Sequence, residues 1–476
     1  MTLYEKLAKD IETSIRRGVL RAGERLPSVR EASTKQGLSI TTVLRAYGRL
    51  ESGGLIESRP QSGYFVRAVE TPRRRAAPEL DLEPTRPVPT SAHVDVSRLV
   101  LSTLRSIGTH DAVPLGSPYP DPSRFPFEKI NRYAHAIGKR QDAWRVTEGL
   151  PPGDPDLIRQ IARRHVENGM EVDPREMIVT VGATEAINLC LQAVARVGDT
   201  VAVESPTFYA MLHAIERVGM RAIEVPTHPE HGIDVDALAA LLDKRRIAAC
   251  MVMPNFQNPL GFRMPDESKR ALVELAARHE LPLIENDVYG ELYYGKARGV
   301  TLKSLDTRGL VLYCASFSKS LTAAYRVGWA LPGRWRDQVE KLKFLNTLTT
   351  AVIPQRAIAA YLEHDGYERH LRAVRRLYEQ QAGMMRAAVA RHFPRGTRTS
   401  HPAGGYVLWV ELPEGADSMA IYHAALERGI TIGPGTMFSA TDRYRHFIRL
   451  NYSYPWSPAI EGALKTTGRL AASAAR

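Results

Sequence analysis

From residue 111 to the end of the chain, apolar runs of strand length alternate with stretches of helical period, and this narrows the choice of fold more than any other feature. Parallel strands cannot be joined by a tight turn. A chain that keeps inserting a helix between strands is therefore built for a largely parallel sheet of the α/β class. Such runs include Met177–Val181, those leading to Glu204 and Met253, Leu283–Asn286 and Val311–Cys314. Each gives way to small or polar residues, and ligands of open α/β sheets bind at strand ends.

The stretch Val311–Gly328, VLYCASFSKSLTAAYRVG, is the most informative of these ends. Its apolar run leads to Ser316, Ser318 and Lys319, with Arg326 a short way beyond. One amine, two hydroxyls and a guanidinium at a strand mouth are what pyridoxal phosphate (PLP) requires: an amine to condense with its aldehyde, donors for a phosphate dianion, and a fork to grip it. On its own, an isolated lysine in such a quartet is more often a solvated surface group.

The other strand ends supply partners. After Met177–Val181, the turn Gly182-Ala183-Thr184 leads into a helix expected from Glu185, whose free N–H groups suit a phosphate. Phe208, following Glu204-Ser205-Pro206-Thr207, can stack on a flat ring. Asn258, in Met253–Gly261, can donate to a phenolate oxygen. In Leu283–Tyr289, Asp287 and Tyr289 are read as sharing one face of a strand. A carboxylate for a pyridinium nitrogen would then stand beside a phenol for the ring oxygen. Separately, Phe208 reads as core, Asn258-Pro259 as a turn and Asp287 as a helix cap. Together, in this order, they point to one cofactor site.

Residues 1 to 68 follow a different pattern. Leu3, Leu7, Ile11 and Ile15 form the stripe of an amphipathic helix ending at Gly18. Ser28-Val29-Arg30-Glu31 has the capping-box form and opens a short helix that Gly37 closes. Ser39 opens a third, carrying Val43, Leu44, Tyr47 and Leu50 as far as Gly53-Gly54. Two short helices with a brief turn between them make a helix-turn-helix, the last helix being the one laid in the major groove. Leu55–Arg59 and Tyr64–Arg67, joined through Pro60-Gln61-Ser62-Gly63, form a hairpin wing. Residues 1 to 75 hold 15 Lys and Arg against 8 Asp and Glu, more than half of the chain's net charge of +12. This basic excess suits a polyanion.

RLPSVRE, GLSITTVLRAYGRLESGGLIES and QSGYFV resemble the winged helix-turn-helix of the GntR family of bacterial transcription regulators. The resemblance implies that Ser28 and Arg30 contact phosphate or base, that Thr41, Thr42 and Arg45 face the major groove, and that Gly63 lets the wing approach the minor groove. Where that family carries leucines in the second helix, this chain has Ala32 and Gln36, which implies looser packing or packing completed from elsewhere.

Residues 111 to 460 resemble the fold-type I aminotransferases. This implies that Lys319 is the Schiff-base lysine, Asp287 the pyridinium partner, Asn258 and Tyr289 donors to the ring oxygen, and Phe208 the stacking aromatic. Ala183, Thr184, Ser316, Ser318 and Arg326 would bind phosphate. Arg449, in HFIRLNYS, stands where the family grips a substrate carboxylate, and Ala403–Tyr406 opens a strand of the smaller C-terminal domain. The segment Trp144–Asp156, WRVTEGLPPGDPD, departs from the family's YGDPxG pattern, whose tyrosine reaches the partner subunit.

A GntR-like head on an aminotransferase-like body is the layout of the MocR subfamily. It implies a head-to-tail homodimer that binds operator DNA and senses an amine, an amino acid or PLP itself. The alternative is an aminotransferase that turns over, with the head as autoregulator or localiser. The expected organisation is a head at 1–68, a proline-rich mobile linker at 69–110 including Arg73-Arg74-Arg75, and a body at 111–476. The body divides into a large part of about 111–335 and a small part of about 336–476. With 44% hydrophobic residues and no apolar run approaching the ~18 of a membrane span, a cytoplasmic protein is expected. Cys190, Cys250 and Cys314 lie apart in apolar runs and read as buried small hydrophobes, and no metal site is expected.

Overall fold

The computed structural model describes residues 3–16, 20–21, 23–52, 55–59, 62–67, 81–107, 112–295 and 297–474. The chain forms two compact units, Met1–Pro78 and Glu79–Arg476. Gly18, Gly53-Gly54, Pro60-Gln61 and Arg73-Arg74-Arg75 lie outside the described residues.

In the first unit, α1 (Leu3–Arg16), α2 (Val29–Gln36) and α3 (Ile40–Ser52) precede the hairpin β1 (Ile56–Arg59) and β2 (Gly63–Val66). Ser28 caps α2: its hydroxyl accepts from the Glu31 amide while the Glu31 carboxylate accepts from the Ser28 amide. Gly37, at φ 62°, ends the helix in the left-handed conformation that costs glycine least. Leu7, Leu26, Ala32, Val43, Tyr47, Leu50, Ile56 and Val66 share one core. Tyr47 closes it by donating its hydroxyl to Pro27 O at 2.9 Å and packing edge-on against Tyr64. Ala32 fills its core position, whereas Gln36 is exposed, so only the first of the two departures from leucine falls inside. Leu44, expected on the packed face of α3, is instead 46% exposed.

The second unit is built on an eight-stranded sheet. Its strands are β3 (Ala92–His93), β4 (Ile178–Thr180), β5 (Thr200–Glu204), β6 (Arg221–Val225), β9 (Ala249–Val252), β10 (Leu283–Asn286), β11 (Val311–Ser316) and β12 (Gly328–Leu331). They lie in the order β3-β6-β5-β9-β10-β11-β12-β4, and β7 (Thr227–His228) with β8 (Gly232–Ile233) forms a separate small ladder. The five strands from β6 to β11 are mutually parallel, while β3 and β12 run against their neighbours. The strands are buried almost without interruption, as a sheet covered on both faces requires. Helices α4 (Ser97–Ile107), α5 (Phe127–Gly138), α6 (Pro155–Glu167), α7 (Gly182–Val194) and α8 (Tyr209–Val218) lead into or cross between the strands. A second, antiparallel sheet follows near the C-terminus, with β13 (Arg398–Thr399), β14 (Val407–Glu411), β15 (Gly433–Pro434) and β16 (Phe447–Asn451) in the order β13-β14-β16-β15. All three cysteines are buried and free.

The expected mobile linker is overturned over 81–107. Leu82, Val94, Val96 and Val100 are buried in the body's core, and β3 pairs with β6. Glu216 accepts the amides of Val96 and Ser97, fixing the start of α4. Between them, Thr85 donates its hydroxyl to Ser205 O at 2.7 Å and its amide to Thr227 O at 3.1 Å. Asp81 meets His401 at 2.9 Å and Glu83 meets Arg398 at 3.3 Å, beside the second sheet. Prolines here do not mark mobility. They suit an extended strap, which needs few amide donors.

Candidate functional site

The parallel strands all end on one edge of the large sheet, and the residues singled out in the sequence gather there. β11 delivers Ser316, Ser318 and Lys319 beyond its C-terminal end. Lys319 is buried, donates from Nζ to Pro118 O at 2.8 Å and stands 4.1 Å from the centre of the Tyr119 ring. Burial, with help from the charges of Arg449 and Arg326, pulls its pKa down to about 7. An amine tuned in this way is nucleophilic near neutral pH.

The anion cradle comes from the antiparallel end of the sheet. Ser316 pairs with Gly328 on β12, and Gly328 pairs with Thr180 on β4, so the start of α7 is drawn beside the β11 turn. The helix begins at Gly182 rather than Glu185, which places Ala183 and Thr184 in its first turn. Arg326 donates from Nη1 to Ser318 Oγ at 3.1 Å and from Nη2 toward Val181 O at 3.4 Å. A Cβ on Gly182 would lie 2.5 Å from Arg326 Nη2, and one on Gly328 2.8 Å from the Ala183 nitrogen. Both positions must be glycine for the guanidinium and the helix terminus to meet.

Asp287 and Tyr289 do not sit on a strand, so strand alternation does not set their faces. β10 ends at Asn286, and both residues lie in the turn that follows. Asn258 donates from Nδ2 to the Tyr289 hydroxyl at 3.2 Å, while its own Oδ1 is buried without a partner. Asp287 Oδ2 accepts from Arg298 Nη2 at 2.5 Å and from the Tyr313 hydroxyl at 2.8 Å. Phe208 is half-buried at the residue before α8.

Arg449 enters from the other sheet. It lies on β16, opposite Trp409, and is 1% exposed. Nη2 donates to Gly116 O at 2.6 Å, whereas Nε and Nη1 are buried with no hydrogen-bond partner. A buried guanidinium with two unmatched donors is costly unless an acceptor arrives, and a carboxylate matches its fork.

These residues fit PLP: an amine of lowered pKa, a hydroxyl and guanidinium cradle at a helix start, a carboxylate, and an amide-phenol pair whose N–H and O–H groups can donate to a ring oxygen. On the head, Arg30, Thr41 and Arg45 are exposed, and Thr41 and Arg45 stand one turn apart on α3. Ser28 and Thr42 are half-buried, and both serve caps: Thr42 donates its amide to Ser39 Oγ at 3.1 Å. Gly63 takes φ 99° at the start of β2, next to the Arg25 side chain.

Comparison with known proteins agrees with both halves. Residues 3–66 match the model of bacterial regulatory proteins of the gntR family, and residues 120–455 match that of aminotransferase class I and II. A relative in Escherichia coli, the uncharacterised HTH-type transcriptional regulator YdcR, is 38% identical over 472 residues, covering 99% of each chain.

The chain belongs to the GntR-type transcription regulators with an aminotransferase class I and II body.

That fusion is the MocR layout. The body alone is 30% identical over 359 residues to a 2-aminoadipate transaminase of Thermus thermophilus, covering 74% of this chain and 87% of the enzyme. Among solved structures, a kynurenine aminotransferase of Pyrococcus horikoshii superposes with a TM-score of 0.72 at 28% identity, covering 79% of this chain and 94% of that one. The α-aminoadipate aminotransferase LysN of Thermus thermophilus, complexed with N-(5'-phosphopyridoxyl)-L-leucine, gives 0.72 at 27% identity over the same shares. This fold family is PLP-dependent. Sequence reasoning missed Tyr119, Arg298 and Tyr313 in the regulator's site. Tyr119 sits in the signal Pro118-Tyr119-Pro120, a ring held between two stiff residues, but nothing near Arg298 in sequence announces it.

Proposed function

We propose that this protein is a PLP-binding transcription regulator whose head binds operator DNA and whose body senses an amino acid. The observation that carries the sensing is Arg449, buried with two unmatched donors in the neighbourhood of Lys319. When bound, PLP supplies an aldehyde that captures amines and a ring that withdraws electrons from them. Lys319 would hold the cofactor. Ser316, Ser318, Arg326 and the start of α7, with Ala183 and Thr184, would hold its phosphate. Asp287 would face the ring nitrogen, Asn258 and Tyr289 the ring oxygen, and Phe208 the ring face.

An incoming amino acid would compete with the Lys319 amine while Arg449 grips its carboxylate. Lys319 follows a strand of the large sheet and Arg449 lies on the small one. A ligand bound to both would tie the two sheets together and favour one setting of them. In a head-to-tail homodimer that setting would select the operator spacing the two heads can span.

On the head, α3 would lie in the major groove with Thr41, Thr42 and Arg45 toward the bases. Ser28 and Arg30 would reach phosphates, and Gly63 would bring the wing to the minor groove. A division of the body at about residue 335 into a large and a small part fits the two sheets.

The test is spectroscopic. Purified protein with PLP should show the yellow absorbance of a lysine adduct, and borohydride should fix the cofactor at Lys319. Absence of both would overturn the reading. The complete set of Lys319, Asp287, Tyr289 and Arg449 favours a second reading, an aminotransferase that turns over in the cytoplasm with a DNA-binding head. Mixing the protein with amino donors and a keto acid separates the two. A spectral change that stops after one equivalent supports the sensor, and sustained product supports the enzyme.

A further inference from the structure

Asp287 belongs to a charge network, buried except at Glu368, most of which the proposed chemistry leaves unused. Besides meeting Asp287, Arg298 donates from Nη2 to the Tyr313 hydroxyl at 3.0 Å and from Nη1 to Glu291 Oε1 at 3.4 Å. Glu291 also receives Arg164, at 2.7 Å through both oxygens, and Arg375 at 3.3 Å. Arg164 and Arg375 in turn share Glu368. The Arg298 side chain is 7% exposed and that of Asp287 0%. Burial would raise Glu291, yet the guanidiniums of Arg298, Arg164 and Arg375 hold it down to about 2, so its charge is fixed across the physiological range. His165, on the neighbouring helix, is kept neutral by burial, its pKa lowered to about 3.

Within this network three arginines face three carboxylates, and Asp287 is one of those already matched. On its other side Asp287 also faces Glu285, whose pKa is raised to about 8 by burial and by the charge of Asp287, and Lys269, which reaches Asp287 only through Asn255. Asp287 Oδ2 is occupied by two donors, while Oδ1 has one long contact, Asn255 Nδ2 at 3.5 Å. A carboxylate favours a protonated ring nitrogen through its negative charge, and a guanidinium 2.5 Å away offsets most of that charge in a buried site.

Resting on the reading of Asp287 as the ring-nitrogen partner, we propose that Arg298 is a positioning residue that lowers the proton affinity of the cofactor's ring nitrogen. The ring then withdraws electrons weakly. The site captures an amino acid and holds it with its Cα–H bond intact, as a sensor requires and a transaminase does not.

The experiment uses the full-length protein reconstituted with PLP carrying 15N in the ring. At pH 8 the wild type should give the nitrogen signal of the unprotonated ring. Arg298→Leu should move it toward the protonated position, and Arg298→Lys, which keeps the charge, should restore it. Tyr313→Phe removes the uncharged donor to the same oxygen and should move the signal less. Deuterium from solvent should enter the α-position of a bound amino acid at least tenfold faster in Arg298→Leu. A fully protonated nitrogen in the wild type overturns the inference, even if no variant folds, and so does an identical signal in Arg298→Leu. If the wild type retains no cofactor at Lys319, the functional reading fails first. Retention with an unmoved signal sinks only the role of Arg298.

Discussion

The head displays its proposed recognition groups to solvent, and the body conceals its own. On α3 the residues assigned to DNA, Thr41 and Arg45, are exposed, and they share that exposed surface with Ile40 at 50% and Leu44 at 46%. In the body, Lys319, Asp287, Asn258 and Arg449 are all buried. The contrast follows from the ligands. A duplex is met across a wide surface in water, where phosphate contacts and base edges are read by accessible side chains. A small anion gains little from exposed charges and much from buried donors that have no other partner. Exposed apolar groups on a reading helix can also meet a thymine methyl, which gives Leu44 a use outside the core it was expected to join.

The contrast can be tested from its strongest point downward. Lys319→Ala should abolish the PLP absorbance band and the borohydride-fixed product altogether, with affinity for a single operator half-site unchanged. A loss of half-site binding would show that the two regions are not separate. Arg449→Leu should weaken amino-acid capture by about a hundredfold, since a buried charge-assisted pair is worth roughly 2–3 kcal/mol. The cofactor band should stay, and titration of that band with amino acid measures the effect. Arg45→Ala should cost about 1–3 kcal/mol in operator binding, measured by fluorescence anisotropy, and leave the cofactor band as it is.

A further effect is on stability without cofactor. The folded pKa of Lys319 is about 7, below its ordinary value. Between the two values the unfolded chain binds more protons, so the contribution of Lys319 to stability improves as pH rises from about 7 toward 10. Lys319→Met should therefore be more stable than wild type at pH 7 and lose that lead by pH 10 in urea unfolding. A lead independent of pH would mean that Lys319 is not desolvated as described.

Local chemistry was legible in the sequence wherever one short stretch determined it. The capping box at Ser28, the left-handed stop at Gly37 and the β11 run into Ser316, Ser318 and Lys319 all stand as read. Where the reading failed, longer-range packing decided. A strand period had Asp287 and Tyr289 share a face, but the strand stops at Asn286 and both lie in the turn beyond it, Asp287 against Arg298 and Tyr313 and Tyr289 against Asn258. Residues 81–107 look mobile by composition, and only their fit against β6 and Glu216 orders them. Ser28 and Thr42 carry hydroxyls that suit DNA, yet that of Ser28 caps α2 and that of Thr42 lies 2.8 Å from the Ser39 hydroxyl. Arg298 was invisible because its meaning lies in Asp287, Tyr313 and Glu291, which no spacing ties to it.

One feature of the body ties its beginning to its end. The Asn451 amide donates to Leu115 O at 2.7 Å and Arg449 reaches Gly116 O, so the first turns of the body are held by its last strand. During synthesis, Leu115 and Gly116 must therefore wait for β16, more than three hundred residues later, before these contacts can form. On the proposed reading, a chain cut short between the head and β16 would keep the groups that meet a duplex and lack the guanidinium that meets an amino acid.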